Sequence, residues 1–192
     1  MSHLTPLPAD FQAALASLRT AANRSELKLA ELPAPARLAP FGVALGAEIM
    51  SGGEELATGR FILLHDPQGS ELWGGTFRVV TYIRAQLEAD IGNDSLLGNV
   101  AWAWLVESLE EQGALYSNAG GTATRILSES YGALAARPDA IDIELRASWT
   151  PEGDAFAPHL EAWGNIVCTF AGLPPVPDGV TLLPRRQRER DR

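Results

Sequence analysis

This sequence lacks the features by which secreted and membrane proteins are usually recognised. It holds one cysteine, Cys168, so no disulfide can form within the chain. No apolar run approaches the ~20 residues that a membrane-spanning helix requires. The first residues, MSHLTPLPADF, do not show the basic and then apolar pattern of a secretory signal. We therefore expect a cytoplasmic protein without membrane association.

Sequence signatures of catalysis and of cofactor binding are also lacking. The chain has only three histidines, and neither of its Gly-Gly-Thr segments has the glycine spacing and following helix of a dinucleotide-binding loop. There is no Gly-x-Ser-x-Gly nucleophile motif. The sequence accordingly predicts no cofactor, no metal ion and no catalytic residue, and it favours a protein that is not an enzyme.

Charge is distributed unevenly along the chain. The net charge is -9, but the last eight residues, RRQRERDR, hold five arginines against one glutamate and one aspartate. An acidic body repels the nucleic-acid backbone. Contact with nucleic acid is therefore expected only through the arginines of this tail, Arg185, Arg186, Arg188, Arg190 and Arg192.

The order of helices and strands is predicted from periodicity and turn residues. Apolar residues at helical spacing predict three helices, over residues 8–23, 96–112 and 158–171. Alternating apolar and polar residues predict five strands, at 41–50, 55–65, 76–87, 120–134 and 140–149. A proline-rich connector spans 32–40, and the segment DPQG at 66–69 predicts a type I turn that ends the second strand.

The resulting order, α-βββ-α-ββ-α, predicts a two-layer α+β sandwich. Strands that are apolar on one face and polar on the other belong to an antiparallel sheet covered on one side, here by helices. We expect a single domain over residues 1–175 and an extended tail over 176–192, Arg-rich and disordered at its end. The element order resembles that of the secretion-chaperone-like fold, which by itself implies no function.

Several segments also resemble one known family. They are LPAPARLAPFGVALGAEI, TGRFILLHDPQGSELWGGTFRVVTYIRAQLE, AGGTATR, RASWTP and HLEAW. In this order and spacing they resemble an uncharacterised domain family of high-GC Gram-positive bacteria, catalogued as domain of unknown function 3000, over residues 32–175. The resemblance implies no activity and no site residue. Genes of this family often lie beside one for a ribonuclease D-like protein, which implies an accessory role in RNA metabolism as one alternative.

The predicted helix at 96–112 carries two tryptophans that cannot share one side. Trp102 and Trp104 are two residues apart, and on a helix their side chains diverge by about 200°. Trp102 lies in the core arc, whereas Trp104 lies with Leu97 and Val100 at the border of the acidic arc. Either the first helix or the connector covers Trp104, or a second copy of this helix does. We expect the second, a homodimer through Leu97, Val100 and Trp104.

The polar face of the predicted sheet is a second candidate surface. Arg78, Tyr82 and Arg84 share one face of their strand, and Arg146 lies on another strand with Asp142 and Glu144. A solvated face with cross-strand ion pairs is the more frequent outcome. The alternative is an open platform that binds a peptide or a nucleic acid, although a single tyrosine is few aromatics for RNA.

The alternative interpretation is that the protein is an enzyme with a hydrolase-like site near His65 and Asp66. Metal-dependent phosphohydrolases use such a pair together with further His and Asp ligands, whereas this chain has only two other histidines, one of them His3 near the N-terminus. His159 could join the site in a cleft, yet with Glu161 it is expected at the solvated surface. Cys168 is expected to be a packed thiol, because it comes late in its helix, where the helix dipole disfavours a thiolate.

The sequence therefore favours a non-enzymatic cytoplasmic interaction or adaptor module. We expect it to bind a protein or peptide and to form a homodimer. A small-molecule enzyme at His65 and Asp66 and an accessory protein of RNA metabolism are the alternatives.

Overall fold

The computed structural model describes residues 6–87 and 94–173. Within these ranges the chain forms three α-helices, six strands and one short 3-10 helix. In chain order these are α1 (Ala9–Leu18), β1 (Lys28–Leu32), β2 (Phe41–Ser51), β3 (Glu54–Ser70), β4 (Gly75–Leu87), α2 (Leu97–Glu111), β5 (Tyr116–Ser128), the 3-10 helix (Gly132–Leu134), β6 (Ala140–Pro151) and α3 (Ala157–Phe170).

The strands form one open antiparallel sheet in the order β1-β2-β3-β4-β6-β5. The predicted α+β fold with helices packed on an antiparallel sheet is therefore confirmed. Strands β1 and β5 form the two edges. Strand β6 lies between β4 and β5, so the hairpin of β5 and β6 joins the rest of the sheet through its second strand.

The sequence prediction missed strand β1. Its five residues, KLAEL, pair with β2 from Lys28 opposite Glu48 to Leu32 opposite Ala44. Five residues are too few to show a clear period, and β1 is ordered by the free edge of β2 rather than by its own pattern. The predicted first helix, 8–23, ends earlier, at Leu18.

The prediction of a type I turn at 66–69 was also wrong. These residues belong to β3, which continues to Ser70 through an irregular region in which the register shifts after His65. The Asp66 carboxylate accepts a hydrogen bond from the Gln68 N–H, and Gly69 adopts a φ of 75°. These local features produce a bulge in the strand, and the chain reverses over residues 71–74 instead. Strand β5 runs over 116–128 rather than the predicted 120–134.

All three helices pack on one face of the sheet, called here the inner face. Trp163 of α3 lies so close to Gly59 that a Cβ added there would come within 2.6 Å of the ring. Trp102 of α2 packs on Gly121 in the same way, at 2.9 Å. Phe11 of α1 stacks on His65, with ring centroids 5.8 Å apart. No helix of the described ranges is long and apolar enough to cross a membrane.

Candidate functional site

The opposite side of the sheet, called here the outer face, carries none of the described helices. The side chains on it alternate with the inner ones along each strand. The segment after β1 reaches over one end of the face, where Ala34 lies near Gly42 and Leu64. Between β1 and β6, no other helix or strand of the described ranges lies over the outer face.

A depression of about 750 Å³ lies on the outer face across β1, β2, β3 and β4. Its floor is formed by small and aliphatic side chains, among them Ala30, Gly46, Ile62 and Val80. Its rim carries Lys28, Arg60, Tyr82 and Arg146. A volume of this size is typical of ligand-binding clefts, which pair an apolar lining with a few polar groups.

Gly46 lines the floor of the outer-face depression and adds no side chain to it. It lies in the middle of β2, where a larger residue would normally stabilise the strand. A Cβ at this position would come within 2.9 Å of Leu32 Cδ1. The side chain of Leu32 therefore packs directly against the backbone of β2.

The charged residues lining the depression are mainly cationic. They are Lys28, Arg60 and Arg146 against the single carboxylate of Glu48. This surplus of positive charge occurs in a chain whose net charge is -9. Arg60 is exposed and forms no hydrogen bond or ion pair with any of the described residues. An anionic group in the depression would therefore find a guanidinium that has no internal partner.

Beside the depression, β4 and β6 are joined by a chain of polar contacts. Arg84 forms an ion pair with Asp142 at 2.6 Å, and Tyr82 donates a hydrogen bond to Glu144 at 2.9 Å. Arg146 forms an ion pair with the other oxygen of Glu144 at 3.0 Å. The Arg146 guanidinium also lies over the Tyr82 ring, 5.1 Å from its centroid. The predicted cross-strand ion pairing is present between Arg84 and Asp142, whereas Arg146 pairs with Glu144 of its own strand. Glu144 contacts both Tyr82 and Arg146 through its two oxygens.

These contacts also set the protonation of the two central groups. The Arg146 and Tyr82 hydrogen bonds lower the pKa of Glu144, so this carboxyl stays ionised. Burial, followed by the hydrogen bond to Glu144, raises the pKa of Tyr82. Tyr82 therefore acts as a neutral donor whose hydroxyl is already used by Glu144.

Arg78, predicted as part of the same surface, plays a structural role. Its guanidinium donates to the Asn118 carbonyl at 2.9 Å, to Thr150 Oγ1 at 3.0 Å and to Ser148 Oγ at 2.7 Å. Partial burial lowers its pKa. The side chain joins β4 to β6 and to the start of β5, away from the depression.

His65 and Asp66, predicted as an alternative site, make separate contacts in this structure. His65 is buried on the inner face between Phe77, at a centroid distance of 4.2 Å, and Phe11. Its Nδ1 lies 3.1 Å from the Thr76 carbonyl. Asp66 is bonded instead to the neighbouring backbone at Gln68. In residues 6–87 and 94–173 no three His, Cys, Asp or Glu side chains are grouped as metal ligands would be.

His159 was wrongly expected at the solvated surface. It is fully buried under α3, where its Nδ1 accepts a hydrogen bond from the Trp149 indole at 3.0 Å. Burial lowers its pKa to about 4, so the ring is neutral at physiological pH. Glu161, predicted at the surface with it, accepts a hydrogen bond from the Ala22 N–H at 2.6 Å.

Cys168 is packed in the core, as predicted. It is fully buried, and burial raises its pKa to about 11. A thiol with such a pKa is protonated at neutral pH and is a poor nucleophile.

The structure confirms that α2 is a helix and that its two tryptophans lie on different sides. Trp102 packs on Gly121 of β5, whereas Trp104 packs edge-to-face on Phe170 of α3, at a centroid distance of 6.1 Å. Leu97 is only 5% exposed and belongs to the core. Of the predicted interface residues, Val100 is the exposed one, at 36%, and Trp104 is half-buried.

The tail arginines from Arg185 to Arg192 lie outside the described residues. Lys28 and Arg60 are the rim residues that the sequence analysis missed. Arg60 could have been found, because it alternates with Phe61 in a predicted strand and so must face away from the core. Lys28 could not, because β1 itself was not predicted.

Comparison with known proteins yields a family but no function. A family model described as "Protein of unknown function (DUF3000)" matches residues 7–181. No curated protein and no solved structure matches the chain.

Proposed function

The chain belongs to a family described only as proteins of unknown function (DUF3000), and from its outer face we propose that it is a binding module. In this proposal the depression holds an extended, acidic segment of a partner protein. The observation that carries the proposal is the apolar depression with a cationic rim, on a face that no described helix covers.

The floor of the depression supplies the hydrophobic part of the proposed affinity. Ile62 and Val80 lie side by side on β3 and β4, and Ala30 of β1 lines the depression opposite Gly46 of β2. Burying one Val or Leu side chain of the partner there would contribute up to about 1.5–3 kcal/mol. An extended chain presents alternate side chains to one surface. A partner segment with an apolar residue at every second position therefore fits this floor.

The rim supplies the preference for acidic partners. Arg60 and Lys28 border the depression, and Arg60 has no partner among the described residues. A carboxylate of the bound segment would form a charge-assisted hydrogen bond with Arg60. The acidic remainder of the chain would repel other acidic surfaces, which favours contact at this face.

We further propose that the module is cytoplasmic and not an enzyme. His65 is buried among aromatic rings, His159 is buried and neutral, and the Cys168 thiol is buried and protonated, so these three side chains contribute to packing. A free thiol and no disulfide are typical of reducing compartments. An RNA-binding role has less support, because Tyr82 of the outer face is already covered by Arg146.

Fluorescence anisotropy tests the proposed preference. The probe is a labelled peptide in which Leu alternates with Glu, compared with the same peptide carrying Lys in place of Glu. We expect the acidic peptide to bind and the basic peptide not to bind. Arg60→Glu should weaken binding about fivefold, because one attraction is lost and one repulsion is added.

The matched control is Arg137→Glu, which makes the same change of charge at an exposed arginine outside the depression. It should leave the affinity unchanged. Equal binding of the two peptides, or equal loss in both variants, would contradict the proposal. Binding of a labelled RNA oligonucleotide instead of the acidic peptide would favour the RNA alternative.

A further inference from the structure

Strand β5 forms a long, unprotected edge of the sheet. It runs for 13 residues, and from Asn118 to Arg125 every residue is exposed. It pairs on one side with β6, and no strand of the described ranges pairs with its other side. The backbone N–H and C=O groups that point away from β6 are therefore open to another strand.

Strand β1, at the other edge of the sheet, has two features that hinder pairing with a further strand and that β5 does not share. Strand β1 has only five residues, and two of them, Lys28 and Glu31, are charged. Short length and charged side chains are the usual means of preventing edge-to-edge pairing. Arg125 is the only charged residue of β5, and its guanidinium is held by the Asp94 carbonyl at 2.9 Å.

Helix α2 covers only one half of β5. A Cβ at Gly98 would lie 3.5 Å from Ala123, and Trp102 packs on Gly121. The helix therefore begins above Ala123 and continues toward the start of the strand. On the other half of β5, Leu127 is 57% exposed on the inner face.

This arrangement is self-complementary about Thr124. The uninterrupted part of β5 in its pairing with β6 runs from Gly120 to Ser128, and Thr124 is its middle. If a second β5 pairs antiparallel about that point, Thr124 faces its own copy and Leu127 faces Gly121 of the partner. Leu127 would then pack beneath Trp102 of the partner. The two α2 helices, each beginning above its own Ala123, would lie on opposite sides of the two-fold axis.

We propose that a second copy of this chain pairs with β5 about Thr124, which joins the two sheets into one continuous sheet. Antiparallel pairing of identical strands is a closed, two-fold contact. The sequence predicted self-association through α2. We favour the adjacent edge because Leu97 is buried and the half-buried Trp104 already packs on Phe170.

Cysteine crosslinking of the full chain tests this pairing. Directly opposed residues have Cβ atoms about 4.5–5.5 Å apart, so Thr124→Cys should form a disulfide-linked dimer under mild oxidation. Thr122→Cys is the matched control, with the same residue type, face and exposure. Its two copies would be four residues apart along the strands, about 13 Å, and should not crosslink. The native Cys168 is buried and should not interfere.

Light scattering gives an independent result. The unmodified chain should have twice the 20.6 kDa mass of one copy. Leu127→Lys should convert the dimer to a monomer. The control Leu134→Lys changes another exposed leucine and should leave the dimer intact. A monomeric mass without crosslinking would overturn the proposal. Crosslinking of the Thr122→Cys variant instead of the Thr124→Cys variant would also overturn the proposal. So would a dimer that persists in Leu127→Lys but dissociates in Val100→Glu, because that result would place the contact on α2.

Discussion

The indole N–H of Trp149 donates a hydrogen bond to Nδ1 of His159 over 3.0 Å, and both side chains are fully buried. Because an indole nitrogen is only a donor, the accepting Nδ1 carries no proton. His159 is therefore neutral in the folded protein, in agreement with its pKa of about 4.

Acid should destabilise the protein through His159. In the unfolded chain this imidazole titrates near 6.5, so below that pH the unfolded state binds a proton that the native state does not. The stabilisation is complete above about pH 6.5 and is lost as the pH falls toward about 4, by up to roughly 3 kcal/mol. Urea unfolding at about pH 7.5 and about pH 4.5 measures this difference, and the His159→Gln variant should show a smaller one. Equal pH dependence in both proteins would contradict the assignment.

Gly59 should not tolerate a side chain. A Cβ there would come within 2.6 Å of the Trp163 ring and 3.0 Å of the Tyr82 carbonyl. Gly59→Ala should therefore lower the free energy of unfolding by about 1–3 kcal/mol. Gly120→Ala is the control, since nothing lies within 4 Å of its added Cβ, and it should change stability by less than about 0.5 kcal/mol. Thermal or urea unfolding of both variants checks the contrast.

Replacement by methionine should affect stability strongly at Arg78 and very little at Arg60. Arg78→Met removes three hydrogen bonds to partly buried partners and should destabilise the protein by about 2–4 kcal/mol. Arg60→Met removes no hydrogen bond or ion pair to any residue that the structure describes. Its free energy of unfolding should stay within about 0.5 kcal/mol of that of the original protein, while binding of the acidic peptide should weaken. A large loss of stability in Arg60→Met would mean that Arg60 supports the fold.

Trp104 and Phe170 should be energetically coupled. Their edge-to-face contact at 6.1 Å is of a kind worth about 0.5–1.5 kcal/mol beyond burial. A double-mutant cycle with Trp104→Leu and Phe170→Leu measures that coupling by urea unfolding. Neither variant should change the mass of the protein in solution, because the proposed dimer contact lies on β5. Dissociation of the dimer by Trp104→Leu alone would instead support the contact predicted from the sequence.

Much of the fold could be predicted because the spacing of apolar residues within single helices and strands indicates their type. The apolar spacing that placed a helix at 96–112 is confirmed by α2, and the alternation along 76–87 correctly put Tyr82 and Arg84 on the polar face of β4. Predictions failed where neighbours in space override local pattern. Pairing with β2 orders the short β1, and the Asp66 hydrogen bond produces a bulge where the residues favour a turn.

Only part of the candidate site could be predicted, because some of its residues are brought together by strand order and not by local pattern. Tyr82 and Arg146 were assigned to one face from alternation alone, and they are directly opposed in the sheet. That Arg60 and Lys28 border the same depression depends on the strand order, which no periodicity shows. The burial of His159 was unforeseen because its partner Trp149 lies on a different element.

The α+β class, the amphipathic character of α2 and the polarity of the two sheet faces are properties of the amino-acid sequence, since each follows from residues close together in the chain. Three properties follow only from the tertiary structure: β5 is an edge strand, small residues of β1 and β2 leave a depression, and among the described residues Arg78 is hydrogen-bonded whereas Arg60 is not. These properties arise from strand order and long-range packing, and their energies depend on contacts between segments that are distant in sequence.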